Sequence, residues 1–272
     1  MATMPYKRRI TLWKEVGETP LQAIEKWKQV NPAYAEIPAS YAGRLDPMAE
    51  GKLLILLGDE CKKQDRYRGL DKEYEIEVLL DLSTDTGDVL GMPAYASRET
   101  VPADEDIRRV LHDQTGTKIL PYPAFSSKTV NGKPLFLYAL EGTLDSISIP
   151  KHEETIHRIR LMRHEVVSKD TLQERIERML ALAPRNSEPS KALGADFRQD
   201  AIRAEWNTVF ENMGDRSFSV LSLRVTCGSG TYMRTLAERI GKELGTSGIA
   251  LSIKRSKIGT YHLFGFWIRL FR

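Results

Sequence analysis

The sequence of 272 residues is poor in cysteine: Cys61 and Cys227 build no disulfide framework, which fits a reducing cytosol, and a cytoplasmic protein is expected. It also lacks long apolar runs. Leu53–Leu57 is the longest strongly hydrophobic stretch, far short of the roughly 20 residues of a transmembrane helix, so no membrane partner is expected. The opening residues are basic up to Lys14 without an apolar stretch, which is not a secretory-signal pattern. There is no internal repeat and no low-complexity tract. With 41% hydrophobic and 28% charged residues, the composition excludes disordered, collagenous and coiled-coil chains and leaves a globular domain.

An excess of charge is lacking as well, since the formal net charge is only +3. Its distribution is uneven. Residues 224–272 carry nine Lys and Arg against two Glu, a net +7, which leaves the first 223 residues at −4. Lys7, Arg8, Arg9 and Lys14 form a second basic run. Such asymmetry suits a polyanion-binding surface, and it suits a plain solvated face equally well.

Residues 20–29 have helical spacing, with Leu21, Ile24 and Trp27 on one side. Glu73–Leu80 alternates as a half-buried strand, with Tyr74, Ile76, Val78 and Leu80 on one face and Glu73, Glu75 and Glu77 on the other. Ser217–Cys227 forms another strand, and Met233, Leu236, Ala237, Ile240 and Leu244 mark a helix ended by Gly245. A last β-rich segment starts at Ile258. Residues 168–216 form a helical hairpin inserted between two strands: Leu172, Ile176, Met179 and Leu180 mark one helix, Ile202, Trp206, Val209 and Phe210 the other, and Pro184–Ser190 the connection. Strands and helices alternate without a repeated βαβ unit, which predicts an α/β (α+β) chain with a mixed sheet and a single domain over residues 1–272.

Several motifs fail on spacing. His152 and His157 lie five apart, about 140° around a helix, and cannot chelate one ion. Asp81, Asp85 and Asp88 miss the alternating calcium-loop positions. Gly228-Ser229-Gly230 lacks the ending of a phosphate loop, and no nucleophile elbow is present. No metal and no nucleotide are therefore expected. Three candidates remain. Asp46, in Tyr41–Gly51, precedes Pro47 and is flanked by Gly43 and Gly51; it fits a helix N-cap as well as a reactive carboxylate. Arg234, after the glycine loop, lies beside an apolar stripe, where a buried carboxylate partner is expected. Tyr74 sits on the apolar face of its strand, where a core tyrosine is the ordinary occupant.

Together these segments resemble the TruB-type tRNA pseudouridine synthases. The family's Gly-His-x-Gly-x-Leu-Asp-Pro-x-Ala-x-Gly motif is matched by Ser40-Tyr-Ala-Gly-Arg-Leu-Asp-Pro-Met-Ala-Glu-Gly51, and its Lys-x-Tyr strand by Lys72-Glu73-Tyr74. Asp85–Asp88 with Gly91, Pro123 to Gly132, and Cys227–Arg234 follow in the family's order. The resemblance implies the fold of that family, a mixed and mostly antiparallel sheet flanked by helices and loops. It also implies isomerisation of the T-loop uridine (uridine 55) of tRNA to pseudouridine, with no cofactor. Asp46 is then the nucleophile, Arg234 its partner, and Tyr74 the residue that stacks on the flipped base or accepts a proton. The substrate-binding positions it implies are Tyr41, Arg44, Lys72, Tyr232, Ile253, Lys254 and Arg255. The expected partner is the tRNA T-arm and elbow, bound by a monomer.

The chain also departs from the pattern. Tyr41 replaces the family histidine, Ser229 a lysine of the glycine loop, Thr129 another lysine, and Leu140 an arginine. These changes predict altered binding rather than lost chemistry. Little sequence follows Tyr261, too little for the PUA domain many members carry at that end. The inserted hairpin or the N-terminal basic run is expected to supply some of that contact.

Overall fold

The computed structural model describes residues 7–95, 101–183, 198–262 and 264–271. The Pro184–Ser190 connection and Arg272 lie outside them. β1 (Arg9–Lys14) and α1 (Pro20–Gln29) lead to β2 (Ala39–Ala42) and β3 (Glu50–Leu57). A short α2 (Asp65–Arg68) precedes β4 (Asp71–Leu80), which is followed by a small hairpin of β5 (Leu82–Thr84) and β6 (Pro93–Tyr95). Next come α3 (Asp104–Asp113), β7 (Gly116–Pro121), the two-residue strands β8 (Thr129–Val130) and β9 (Lys133–Pro134), α4 (Leu135–Leu140) and the long β10 (Lys151–Ser168). The inserted helices are α5 (Lys169–Leu182) and α6 (Gln199–Asn212); β11 (Ser217–Cys227), α7 (Met233–Glu243), β12 (Gly248–Tyr261) and β13 (Trp267–Leu270) complete the order.

The main sheet runs β1-β3-β12-β4-β11-β10-β7, with β2 added on β3 and β13 on β12. The β3–β12 contact is parallel and the other pairs are antiparallel. The expected mixed, mostly antiparallel sheet is therefore present. The front face of β4 (Tyr74, Ile76, Val78) and the apolar stripe of α7 (Met233, Leu236, Ala237, Ile240) share the principal core. The opposite face carries Glu73, Glu75 and Glu77, and each finds a cation. Glu73 pairs with Lys257, Glu75 with Arg224, and Glu77 with Arg175 of α5. Burial thus reaches both faces of a strand whose alternation looks half-solvated, because the insertion and the neighbouring strands cover the polar side.

Between β10 and β11, residues 169–216 hold α5 and α6. Leu172, Ile176, Leu180, Ile202, Trp206 and Phe210 are buried in the principal core, and Trp206 Nε1 donates to Val89 O at 3.0 Å. The insertion is a structural part of the domain rather than a detachable arm. Other sequence expectations shift. His152 and His157 lie on strand β10, not on a helix. β12 starts at Gly248, ten residues before the expected Ile258. Leu21 is 57% exposed, because the buried stripe of α1 runs through Pro20, Ala23 and Ile24, and Leu21 is a quarter-turn away from it.

Candidate active site

The loop that carries Asp46 joins β2 to β3 by a turn, not by a helix. Ala49 N–H donates to Asp46 O at 3.0 Å, and β3 begins at Glu50, so Asp46 caps no helix. Three cationic anchors hold this loop. Arg255, 1% exposed, donates to Lys52 O (2.7 Å), Gly43 O (3.0 Å) and Arg44 O (3.3 Å). Lys14, fully buried, donates to Ala49 O (2.6 Å), Glu15 O (2.9 Å) and Pro47 O (3.3 Å). Burial pushes the Lys14 ammonium down to about 8, with Glu18 and Asp46 pulling against it. The third anchor is Arg234. Gly51 (φ +119°) allows the close approach of β3 to β12, since a Cβ there would lie 2.4 Å from Arg255 O.

Arg234 reaches the loop from the first turn of α7. Its guanidinium is 5% exposed, with both Nε and Nη2 3.0 Å from Asp46 Oδ2. Nη1 donates to Thr86 O (2.8 Å) and Nη2 to Phe125 O (3.0 Å), while Nε lies 3.7 Å from Asp88 Oδ2. Burial lowers the Arg234 pKa, but Asp46 and then Asp88 outweigh it and leave it raised. Asp88 is itself pushed up by burial against the pull of Arg234, and burial also raises Glu238. One fixed cation therefore sits among three carboxyls. Asp88 is buried, Glu238 lies at the surface, and the Asp46 side chain is 38% exposed and opens into the cleft.

The cleft encloses about 210 Å³. Asp46, Tyr74, Arg234, Tyr232, Ile253, Arg44, Lys72 and Arg255 all line it, with Ser126 and the glycine loop 228–230. Tyr74 is 8% exposed, and burial raises its phenol, against the pull of Arg255. Burial, then Asp46 and Tyr122, push Tyr232 up to about 12. Lys72 is 4% exposed and donates to Arg68 O at 3.0 Å and to Leu70 O; burial, then Arg255, push it down to about 8. The only thiol nearby is inert, because burial pushes Cys227 up to about 12. This is a carboxylate oriented by a buried arginine beside a buried phenol and an apolar wall, an arrangement suited to nucleophilic chemistry on a flat ring.

Of the ten sequence-selected residues, the structure brings eight together and leaves two out. Tyr41 packs under α1 with Ile24, Leu53 and Ile55 rather than in the cleft, because its place on β2 points it to that side. Lys254 lies on the back of the sheet, opposite Glu75 and over the Trp13 ring at 5.5 Å. Arg255 faces the cleft, but its donors are taken by backbone carbonyls. The sequence reading missed the roles of Lys14, Asp88, Ser126 and the carbonyls of Thr86 and Phe125. A visible signal existed for Lys14, a charged residue in line with the inward positions of an edge strand.

Among the described residues no helix is long and apolar enough to cross a membrane, and no cluster of three metal-ligating side chains occurs. The fold is shared with a chain of a Cbf5–Nop10–Gar1 complex: TM-score 0.54, 16% identity, covering 92% of this chain and 48% of that one. Fold and cleft thus define a mixed-sheet domain built around an arginine-held aspartate. Residues 33–177 match the model of the TruB family pseudouridylate synthase N-terminal domain, and the chain belongs to that family. Curated relatives include a tRNA pseudouridine synthase B of Aromatoleum aromaticum, 30% identical over 83% of this chain and 55% of the relative. Another, of Borreliella burgdorferi, bears the same name and is 27% identical over 92% of this chain and 69% of the relative. The chain spans between about half and two thirds of the length of these relatives.

Proposed function

We propose that this chain is a tRNA pseudouridine synthase that converts the T-loop uridine to pseudouridine, as a cytoplasmic monomer. The observation that carries the reading is the Asp46–Arg234 pair, with the arginine buried and the carboxylate open to a cleft beside Tyr74. In the reaction the N1–C1′ bond of uridine breaks, the base turns, and a C5–C1′ bond forms. A proton leaves C5 and one is taken up at N1, so the product is an isomer. No electrons are gained or lost, and no cofactor is needed.

Asp46 supplies the nucleophile, held by Arg234 in the geometry in which it can attack and leave again. Tyr74 stacks on the extruded base, and its hydroxyl is the group assigned to the proton transfer. Ile253 and Tyr232 wall the ring in, and Arg44 at the mouth (an exposed residue) meets phosphate. Extrusion of the base costs a few kcal/mol, which backbone contacts and stacking offset. The test is mass-spectrometric mapping of pseudouridine in tRNA treated with wild type and Asp46→Asn. Wild type is expected to modify the T-loop uridine and the variant to give no product. Product from the variant would remove Asp46 as nucleophile; RNA binding without product from wild type would make the chain a binding factor.

A further inference from the structure

The cationic residues near the end of β12 do not form one surface. Arg255 is consumed inside the loop, while Lys254 and Lys257 lie on the back of the sheet, away from the cleft. On that back face a second cavity of about 190 Å³ opens, lined by Arg158, Arg160, Arg224, Lys257, Tyr261 and Trp267, with Glu73 at its floor. Arg224 and Lys257 are each paired with a glutamate, at 3.0 Å. Among the described residues the side chains of Arg158 and Arg160 have no carboxylate partner and no hydrogen bond. Arg160 stands directly opposite Arg224 in the β10–β11 register, and Arg158 is opposite Thr226. Like charges facing each other across a strand pair repel. The Glu75 partner of Arg224 offsets part of this repulsion, and a bound anion would turn the remainder into attraction.

We propose that this back-face cavity binds the phosphodiester backbone of an RNA segment, with a base stacked against Tyr261 or Trp267. The proposal rests on the RNA-acting reading above but names a surface that the reaction does not use. Guanidinium forks match phosphate oxygens two at a time, and a phosphate between Arg158 and Arg160 satisfies both. Tyr261 and Trp267 meet edge to face, with ring centroids 5.3 Å apart and 65° between their planes, and Lys257 lies 5.8 Å from the Trp267 centroid; a base stacking on one ring beside a cation is a contact that single-stranded RNA makes and an acidic peptide does not. Position supports the same partner. Glu73 and Thr226 border this cavity, whereas Lys72, next to Glu73, and Gly228, two residues after Thr226, line the cleft. The two sites are therefore back to back at one end of the sheet, and one RNA can pass around that end to occupy both.

The test uses the full chain, a transcribed tRNA and the variant Arg158→Gln/Arg160→Gln. Affinity is measured from 50 to 300 mM salt beside thermal melting. Each phosphate contact contributes roughly 0.9 to the log–log salt slope on a duplex and about 0.7 on a single strand. The variant is expected to bind about tenfold more weakly near 150 mM salt, with a slope lower by about 1 to 2. Its melting temperature should equal or exceed that of wild type, since a repulsive pair has gone. Ultraviolet cross-links of bound RNA should map to peptides containing Tyr261 or Trp267. Unchanged affinity and slope in the folded variant would overturn the proposal. So would binding of polyglutamate as tight as RNA of equal charge, which would assign the surface to an acidic protein. Because binding and not turnover is read, a wild type that binds RNA without making pseudouridine refutes the proposed reaction and leaves this test intact.

Discussion

Replacing Arg234 with alanine measures what the buried guanidinium contributes to the fold around Asp46 and Asp88. The side chain contributes to three interactions of different weight. Its pairing with Asp88 is buried on both sides, with side-chain exposures of 6% and 7%. Removing one partner of a buried pair typically costs about 3–5 kcal/mol, because the other charge is left without compensation. The Asp46 pairing is worth less in stability, since a side chain 38% exposed is screened by water; less than about 1 kcal/mol is assigned to it. The bonds to Thr86 O and Phe125 O are replaced in part by water entering from the cleft. The expected loss is therefore about 3–5 kcal/mol. Against a total of roughly 5–15 kcal/mol for a domain, that is a large fraction.

The assay is equilibrium unfolding in urea for wild type, Arg234→Ala, Asp88→Asn and the double variant. The double variant should be more stable than Arg234→Ala, because it no longer buries an unpaired carboxylate. The pH dependence has a definite sign. Burial already raises the Asp88 carboxyl in the folded state, and Arg234 opposes that rise. Without Arg234 the folded pKa climbs further. A group with a raised folded pKa favours folding below its unfolded value and loses that contribution as pH rises through the folded one. The deficit of Arg234→Ala should shrink on acidification and widen toward neutrality. A single variant within about 1 kcal/mol of wild type, or a double variant no more stable than the single, would refute the assignment of the cost to Asp88.

Two further perturbations probe the supports of the loop. Gly17 has φ +84° and donates its N–H to Pro47 O at 2.9 Å, and a Cβ there would fall 1.8 Å from Leu182 O. Gly17→Ala should cost about 2 kcal/mol or more in thermal or chemical unfolding and should lower turnover by shifting the Asp46 turn; Gly69→Ala, with nothing within 4 Å, should be close to neutral. Lys72→Met tests the ammonium that burial depresses from 10.5 to about 8. Between those values the unfolded chain binds the extra proton, so wild type should gain stability relative to the variant as pH rises from about 8. Parallel stability curves for the two proteins across that range would contradict the depressed value.

The centre of the site was legible because each key residue sits in a short, rigid context. Asp46 precedes a proline between glycines, and Arg234 follows a glycine loop on the inner side of a helix, where a buried guanidinium calls for a carboxylate partner. The insertion was readable too, because both its helices have regular apolar spacing. The basic run near residue 255 was not. Strand alternation alone separates Lys254 from Arg255, but it would leave Lys257 beside Arg255. The register shift between Arg255 and Lys257 turns Lys257 to the back face, and no residue type announces that bulge. Tyr41 was misplaced for a related reason: a motif position says which residue is present but not which way its strand faces once α1 packs on it.

The order of the sheet has a consequence for how the protein is made. β12 lies between β3 and β4, so the first two long strands to leave the ribosome cannot pair with each other and wait, edges open, for a segment made some two hundred residues later. Arg255 meets Arg44 across a separation of 211 residues. Non-local closure of this kind is slow and leaves intermediates prone to sticking. It also acts as a check on completeness. A nascent chain that stops after α7 already carries both Asp46 and Arg234, yet it lacks the Arg255 that holds Gly43 O and Arg44 O, so the loop around Asp46 is incompletely held until β12 is made.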